Sequence, residues 1–502
     1  DLHRRQARPM STGDGRYGAI RSGMSRGRLT GRLAGMSLPR QILTIAFWPL
    51  LEQVLSFIAS SISLFIATHM GTPREVTTQI AAGMGAIGSI FFLGFVMQGA
   101  VSMGATAIVS RMTGARRFGE AQHAADQAAV LGLVVGALSF LVMYFSADTL
   151  VRDVFRLTPE AQDYARRFVF AAAPTAIFSG LVFAVNSALR GAGDTRLPFM
   201  MMLVADGLNM AASLVLVYGF GMSIEGLAIG MTLGFAAAAL ILVCLLERRR
   251  RRRLRAAQAS PAAEESPPGG APELGLSLAD FRPDFSMIRR IVDIGLPQSF
   301  EVFGMWAIQL YCLSVISRLG DGVLGAHTIA IRIESLSFLP GFAIGTASAS
   351  LVGLHLGAGS VRTAFQVIRR CLVYSICFMG AMGVLFFIFP AFFVQIFAGN
   401  SSDLLEAGVP VVRVFLLCEP FFAAAIVMKM SLRGAGDTRR VMWVTYGSMG
   451  FFRLFVLWCW NHFSPETLNL TWIWVLLSVD MVAQTLLLYR FVIDKKWIRR
   501  KV

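Results

Sequence analysis

Among the polar side chains within apolar runs long enough to cross a bilayer, seven are candidates for a site: Glu52, Asp206, Asn209, Glu301, Arg332, Glu334 and Glu419. A charge held in hydrocarbon is costly, so such residues either pair with one another or mark a path for ions and polar solutes. Carboxylates suit proton or metal-cation exchange, because taking up a cation relieves the cost of burying the charge. Glu52 and Glu301 stand about one turn into their spans. Asp206 and Asn209 are three apart on one helix face, placed either to share a cation or to join two helices. Arg332 and Glu334, two apart, point in different directions and are expected to find separate partners, Arg332 with a neighbour such as Glu301. Glu419 precedes Pro420, where a kink frees a backbone carbonyl. Arg453 and Asp480 fit a structural ion pair between the last two spans.

The elements that carry these residues are transmembrane helices. Of 502 residues, 55% are hydrophobic and only 15% charged, far below the quarter typical of soluble domains. Apolar stretches of about 20 residues recur with short polar breaks. Twelve spans are expected: near 42–70, 80–111, 122–145, 164–189, 197–218 and 226–246, then near 288–317, 328–355, 367–393, 404–432, 441–460 and 472–492. The formal net charge of +16 does not mark a nucleic-acid binder, because the arginines sit at span ends rather than along an aromatic-studded stripe. Basic loops alternate onto one side and place both termini in the cytoplasm. The segment from Arg152 to Arg167 opposes this pattern, with four arginines on the outer side. Gly226, Gly230 and Gly234 form a close-packing stripe in the sixth span.

The octapeptide LRGAGDTR occurs at 189–196 and again at 432–439, an offset of 243 residues. At the same offset Gly114–Ala115 meets Gly357–Ala358. This is internal duplication. Each half holds an even number of spans, so both enter the membrane the same way and their pseudo-two-fold axis lies along the membrane normal. The expected organisation is a basic cytoplasmic tail (1–40), a six-helix lobe (41–247), a cytoplasmic linker (248–283), a second six-helix lobe (284–493) and a short tail (494–502). In the repeated octapeptide the glycines allow a tight turn. Asp194 and Asp437 are placed to cap the next helix, while Arg190, Arg196, Arg433 and Arg439 hold the loop on the cytosolic side. A gating role for Arg190, Asp194, Arg433 and Asp437 follows.

These features resemble the multidrug and toxic compound extrusion (MATE) family. The resemblance rests on the paired LRGAGDTR motifs, GARRFGEA after the second span and GAGSVRTA after the eighth. GAHTIAIRIESLSFLPGFAIG, FFRLF and WIWVLLSVD also fit it. It extends from Ile42 onward, apart from the linker. It implies two six-helix bundles in a V, a central cavity, and export of a solute against a proton or sodium gradient. The family's first-span acid would fall near Ser63 and its seventh-span glutamate near Met305. Its fifth-span asparagine is matched by Asn209, but Ser213 stands where its acid a turn later would fall. Ion coupling is therefore expected at Glu301, with Glu52 or Asp206.

The function expected is cation-coupled antiport of a small cationic or amphipathic organic solute by a multi-pass protein of a prokaryotic cytoplasmic membrane. The alternative is a lipid-linked precursor flippase of related architecture. No HExxH, nucleophile elbow or His/Asp cluster supports an enzyme, and no CxxC or histidine pair supports a metal site. The partners expected are the solute and the bilayer, with no nucleic acid, no cofactor beyond H+ or Na+, and a monomeric chain.

Overall fold

The computed structural model describes residues 29, 33–68, 74–149, 152, 159–259, 274–276, 282–398 and 401–499. Most of the basic tail and much of the linker therefore lie outside the described residues. The first lobe is α1 (Leu38–Thr68), α2 (Arg74–Gly114), α3 (Phe118–Thr149), α4 (Pro159–Ala172), α5 (Thr175–Gly191), α6 (Arg196–Leu214) and α7 (Ile224–Ala259). The second is α8 (Phe285–Ser317), α9 (Asp321–Gly357), α10 (Val361–Ile388), α11 (Pro390–Ala398), α12 (Ser402–Gly434), α13 (Thr438–Met449), α14 (Leu457–Phe463) and α15 (Leu470–Ile493). Ten of these segments are long and apolar enough to span a membrane, and twelve when each bent pair counts as one span. The chain is an all-α, multi-pass membrane protein of twelve transmembrane helices in two homologous bundles. Phe145, Phe220, Phe463, Leu240 and Trp443 stand exposed, an apolar perimeter that only lipid accommodates.

Several spans are not straight. The fourth breaks by 50° between α4 and α5, where Pro174 interrupts the helical ladder, and the tenth bends by 56° between 402–415 and 418–434, ahead of Pro420. The ninth span ends at Ile388, and Pro390 starts the separate α11. The eleventh contains a π-helical turn at Gly450–Val456. Arg248 to Arg253, expected in the linker, instead continue α7 as far as Ala259. Arginine is a strong helix former, Glu247 pairs with Arg251 one turn on (2.9 Å), and Arg249 reaches Asp194 (3.1 Å). Past the helix, Gly275, Arg282 and Asp284 bond to Gln122 and Gln127 of α3, so the connection to the second half docks on the first.

The two copies of the repeat close their turns identically. Gly193 (φ 88°) and Gly436 (φ 85°) take the left-handed position after their helices. Asp194 N–H donates to the Leu189 carbonyl and Asp437 N–H to that of Leu432, both at 2.9 Å, the same Schellman closure twice. Two of the four arginines that opposed the charge pattern are paired locally. Arg166 meets Asp148 (3.1 Å), and Arg167 meets Asp163 (2.7 Å) and Glu225 (3.5 Å).

The lobes meet along α2 and its repeat-mate α9, whose apolar windows are the most buried of the spans, at 61% and 67%. A side chain at Gly114 would overlap the Leu354 carbonyl, and one at Gly357 would overlap that of Arg111. Arg111 and Leu354 are themselves 243 apart, so these two contacts are mates across the pseudo-two-fold axis. Gly104 and Gly295 seat α2 on α8 equally closely. Higher up, Ser299 donates to the Val96 carbonyl (2.6 Å) and Phe92 stacks on Trp306 (5.6 Å between ring centres). On the basic face the join is laced by the chain ends. Leu33 and, from the other lobe, Leu354 both lie against Gly193, His355 meets Gln41 (3.3 Å), and Arg111 donates to the Ile498 carbonyl (3.5 Å). Among the described residues these contacts run from the basic face up α2 and α8 as far as the Phe92–Trp306 stack. Overpacking costs about 1–3 kcal/mol, so Gly114→Leu or Gly357→Leu should part the lobes there and speed labelling of a cysteine placed at Ala347 by roughly tenfold. An unchanged rate would show that this backbone contact does not hold the basic side shut.

Candidate functional site

In the first lobe Glu52 does not stand alone at a helix entrance. Pro49 lies a turn before it, and both carboxylate oxygens accept from Arg190 Nη2 at 2.6 and 2.8 Å. Ser56, one turn beyond Glu52, donates to Asp206 Oδ2 at 3.0 Å. Glu52, Ser56, Arg190 and Asp206 thus form one cluster across α1, α5 and α6. Asn209 takes no part in it, since its Oδ1 accepts from Ser213 of its own helix (3.2 Å). The glycine stripe of α7 packs there: Gly234 faces Ala205 and Asn209, and Gly230 faces Ser213.

The second lobe repeats the arrangement and enlarges it. Glu301, a turn after Pro297, is fully buried against Arg433 Nη2 (2.9 Å), Lys429 Nζ (3.8 Å) and the Thr445 hydroxyl (2.7 Å). The expected Arg332–Glu301 pair does not occur among the described residues. Arg433 and Lys429 already occupy Glu301, while Arg332 is exposed on another face of α9. The loop arginines are likewise corrected: Arg190 and Arg433 turn inward to clamp a glutamate instead of holding the turn to the cytosol. Asp194 does cap its helix, accepting from the Leu197 N–H (3.3 Å), and also meets Arg249. Asp437 makes no side-chain cap and pairs instead with Arg440 (3.3 Å), completely buried.

Beyond Glu301 the charges continue. Lys429 lies within electrostatic reach of Asp480 and Arg453. Arg453 Nε donates to Asp480 Oδ2 at 2.6 Å, the ion pair expected from sequence, and Gln484 adds two bonds of 3.1 Å. The π-helical turn of the eleventh span carries Arg453, a distortion frequent at functional sites. Glu334 is electrostatically coupled to Arg453 and to Glu419, whose Oε1 accepts from Ser337 at 2.5 Å. The other oxygen of Glu419 is buried without a hydrogen-bond partner among the described residues.

A cavity of about 70 Å3, room for a few waters, opens between Glu334, His327, Gln309, Arg453, Cys418 and Trp474. His327 and Glu334 are seven apart, two turns along one face of α9. Trp474 Nε1 donates to His327 Nδ1 (3.2 Å), which makes Nε2 the protonated ring nitrogen; it is buried and unpartnered among the described residues. Sequence reading missed His327, Gln309 and Lys429. Only Lys429 left a signal, as a lone lysine within an apolar span. A second cavity, about 330 Å3, lies in the first lobe behind Phe91, Phe95, Phe183, Phe235 and Met231, with Gln98 at its wall. Among the described residues no group of three metal-binding side chains occurs.

Two pseudo-symmetric six-helix lobes, each with buried charges and a cavity of its own, define a polytopic transporter built by duplication. Comparison with known proteins gives the family. The MatE family model matches residues 49–215 and 297–459. A probable multidrug resistance protein NorM of Thermotoga maritima is 26% identical over 426 residues, 84% of this chain and 86% of that one. The uncharacterized transporter YisQ of Bacillus subtilis is 21% identical over 84% of this chain and 88% of its own. Among solved structures, an outward-facing multidrug resistance MATE family transporter of the MOP superfamily superposes with a TM-score of 0.79 at 17% identity, covering 93% of this chain and 98% of that one. A point mutant of the Vibrio cholerae MATE transporter VcmN gives 0.79 at 15%, covering 92% and 99%. The chain belongs to the MATE family of transporters.

The Glu52–Arg190 clamp yields a direct test. Breaking a buried pair from one side strands the other charge at a cost of about 3–5 kcal/mol, whereas removing both ends costs far less. Arg190→Ala should therefore lower the thermal midpoint of the purified protein well below that of the Glu52→Gln/Arg190→Gln double variant. Equal midpoints would mean the pair bears no such load.

Proposed function

We propose that this protein exports a small cationic or amphipathic organic solute across a prokaryotic cytoplasmic membrane, by alternating access of its two lobes and in exchange for H+ or Na+. The observation that carries the coupling is the charge inventory of the second lobe. Around Glu301 and the small cavity stand Arg433, Lys429 and Arg453 against Glu301, Asp480, Glu334 and Glu419, three bases to four acids. Such a cluster in hydrocarbon is neutral only with one further cation. Glu301 and Asp480 have basic partners at hydrogen-bond distance, so the exchangeable cation belongs with Glu334 and Glu419. In the first lobe Arg190 answers only one of Glu52 and Asp206, and Asp206 is the acid left over.

One charge moving through 100 mV supplies about 2.3 kcal/mol, enough for a solute gradient of about 50-fold. The aromatic cavity of the first lobe favours a flat, amphipathic cation, which gains from ring faces as well as from apolar burial. The acids left over in both lobes weigh against a pyrophosphate-bearing lipid as substrate.

The test is solute flux in proteoliposomes under imposed pH and sodium gradients. Glu334→Gln and Glu419→Gln should each fold, keep solute binding, and lose gradient-driven flux together with its dependence on the coupling ion. Wild-type flux and ion dependence in both variants would place coupling elsewhere.

A further inference from the structure

The duplication permits a controlled comparison between the lobes. In each, the arginine of the repeated octapeptide clamps a glutamate that follows a proline in the lobe's first span. One turn before each arginine the match fails. The first lobe has Asn186 and the second, 243 residues on, has Lys429. The two residues behave differently. Asn186 is completely buried, and neither its Oδ1 nor its Nδ2 has a hydrogen-bond partner among the described residues. Lys429 extends to Glu301 Oε1 at 3.8 Å, on the carboxylate oxygen that also accepts from Thr445, while Arg433 takes the other oxygen.

We propose that Lys429 is a tethered cation, filling beside Glu301 the place an exchangeable cation would otherwise take. Glu301 is thereby balanced by the chain itself, and the exchangeable cation is directed to Glu334 and Glu419; this last step rests on the coupling reading above. The groups around Glu301 are consistent with that role. Arg433 and Lys429 approach from α12, and Thr445 and Tyr446 from α13, where the Tyr446 hydroxyl is engaged by the Phe300 carbonyl. From beyond, Asp480 of α15 and Arg453 of the π-helical turn act on Lys429 rather than on Glu301 directly. In the first lobe Arg190 is the one basic partner of Glu52 among the described residues, whereas Glu301 has both Arg433 and Lys429, and the second positive charge offsets the surplus of acids in the cluster. The additional ammonium is therefore not needed for the clamp, and its effect is on the number of cations the lobe must recruit.

The experiment counts bound cations at equilibrium, without solute or gradient, so it stands apart from any failure of the transport assay. Full-length protein is purified in detergent, proton uptake over the neutral range is followed with an indicator dye, and sodium binding is measured with radioactive sodium. Lys429→Gln should bind one more cation equivalent per molecule than wild type, as proton or sodium. Adding Glu301→Gln should remove that increment, and Lys429→Arg should leave the wild-type number. Asn186→Lys, which installs the tether in the other lobe, should bind one fewer. It also carries the test should Lys429→Gln not fold. A wild-type count in folded Lys429→Gln, or in folded Asn186→Lys, would overturn the assignment.

Discussion

Inside a bilayer there is no water to screen a charge, so each must be cancelled by a neighbour within a few ångströms or by an ion brought from outside. The architecture of both lobes follows from that constraint. Each first span carries a glutamate, and each repeated turn sends one arginine inward to meet it, Arg190 to Glu52 and Arg433 to Glu301. The clamp ties a proline-containing helix to the turn that closes the fourth or tenth span, and so fixes how far that turn projects at the basic face. The cancelling is incomplete at Asp206 and around Glu334 and Glu419, which is why the exchangeable cation is proposed there.

Glycine does the corresponding work between the lobes. Helices cannot rely on water to drive them together in lipid, so they gain from close approach of their backbones. Gly114 and Gly357, mates in the repeat, bring α2 and α9 into backbone contact about the axis, and Gly104 and Gly295 do the same for α2 and α8. These contacts are intimate yet apolar, with few hydrogen bonds to break. Glycine contacts of this kind can separate without leaving stranded polar side chains, which suits the alternating access proposed for the two lobes.

Much of this fold was legible in the sequence because bilayer physics is local. Backbone groups must be satisfied within each span, so spans are contiguous apolar runs, and the duplicated octapeptide revealed the pairing of halves before any geometry. The breaks were harder to place. Pro174 ends a helix where Pro49 and Pro297 lie inside one, and the outcome depends on what packs nearby. The arginine run read as linker because of its charge, although Glu247 and Asp194 hold it as helix. Site residues were found one by one, but their partners were not. Ser56 meets Asp206 across 150 residues of chain, and Glu301 meets Thr445 across 144. Such pairings are set by helix rotation and tilt, which no local pattern encodes. Arg332 shows the converse: a charge in an apolar run whose position in the chain suggested a partner that the rotation of α9 rules out.

The path of the chain between the lobes bears on how the molecule could be assembled from parts. Gly275, Arg282 and Asp284 are bonded to Gln122 and Gln127 of α3, although they precede the second bundle. A polypeptide divided just after Ala259 would leave this peptide at the head of the second fragment, as an adhesive strand that recognises the first. Divided after Asp284, the fragments would lose that handle and would have to find each other through the contacts between the helical lobes. Domestication of this scaffold as a split reporter, or its origin by fusion of two separate genes, would each turn on those few bonds at the surface of α3.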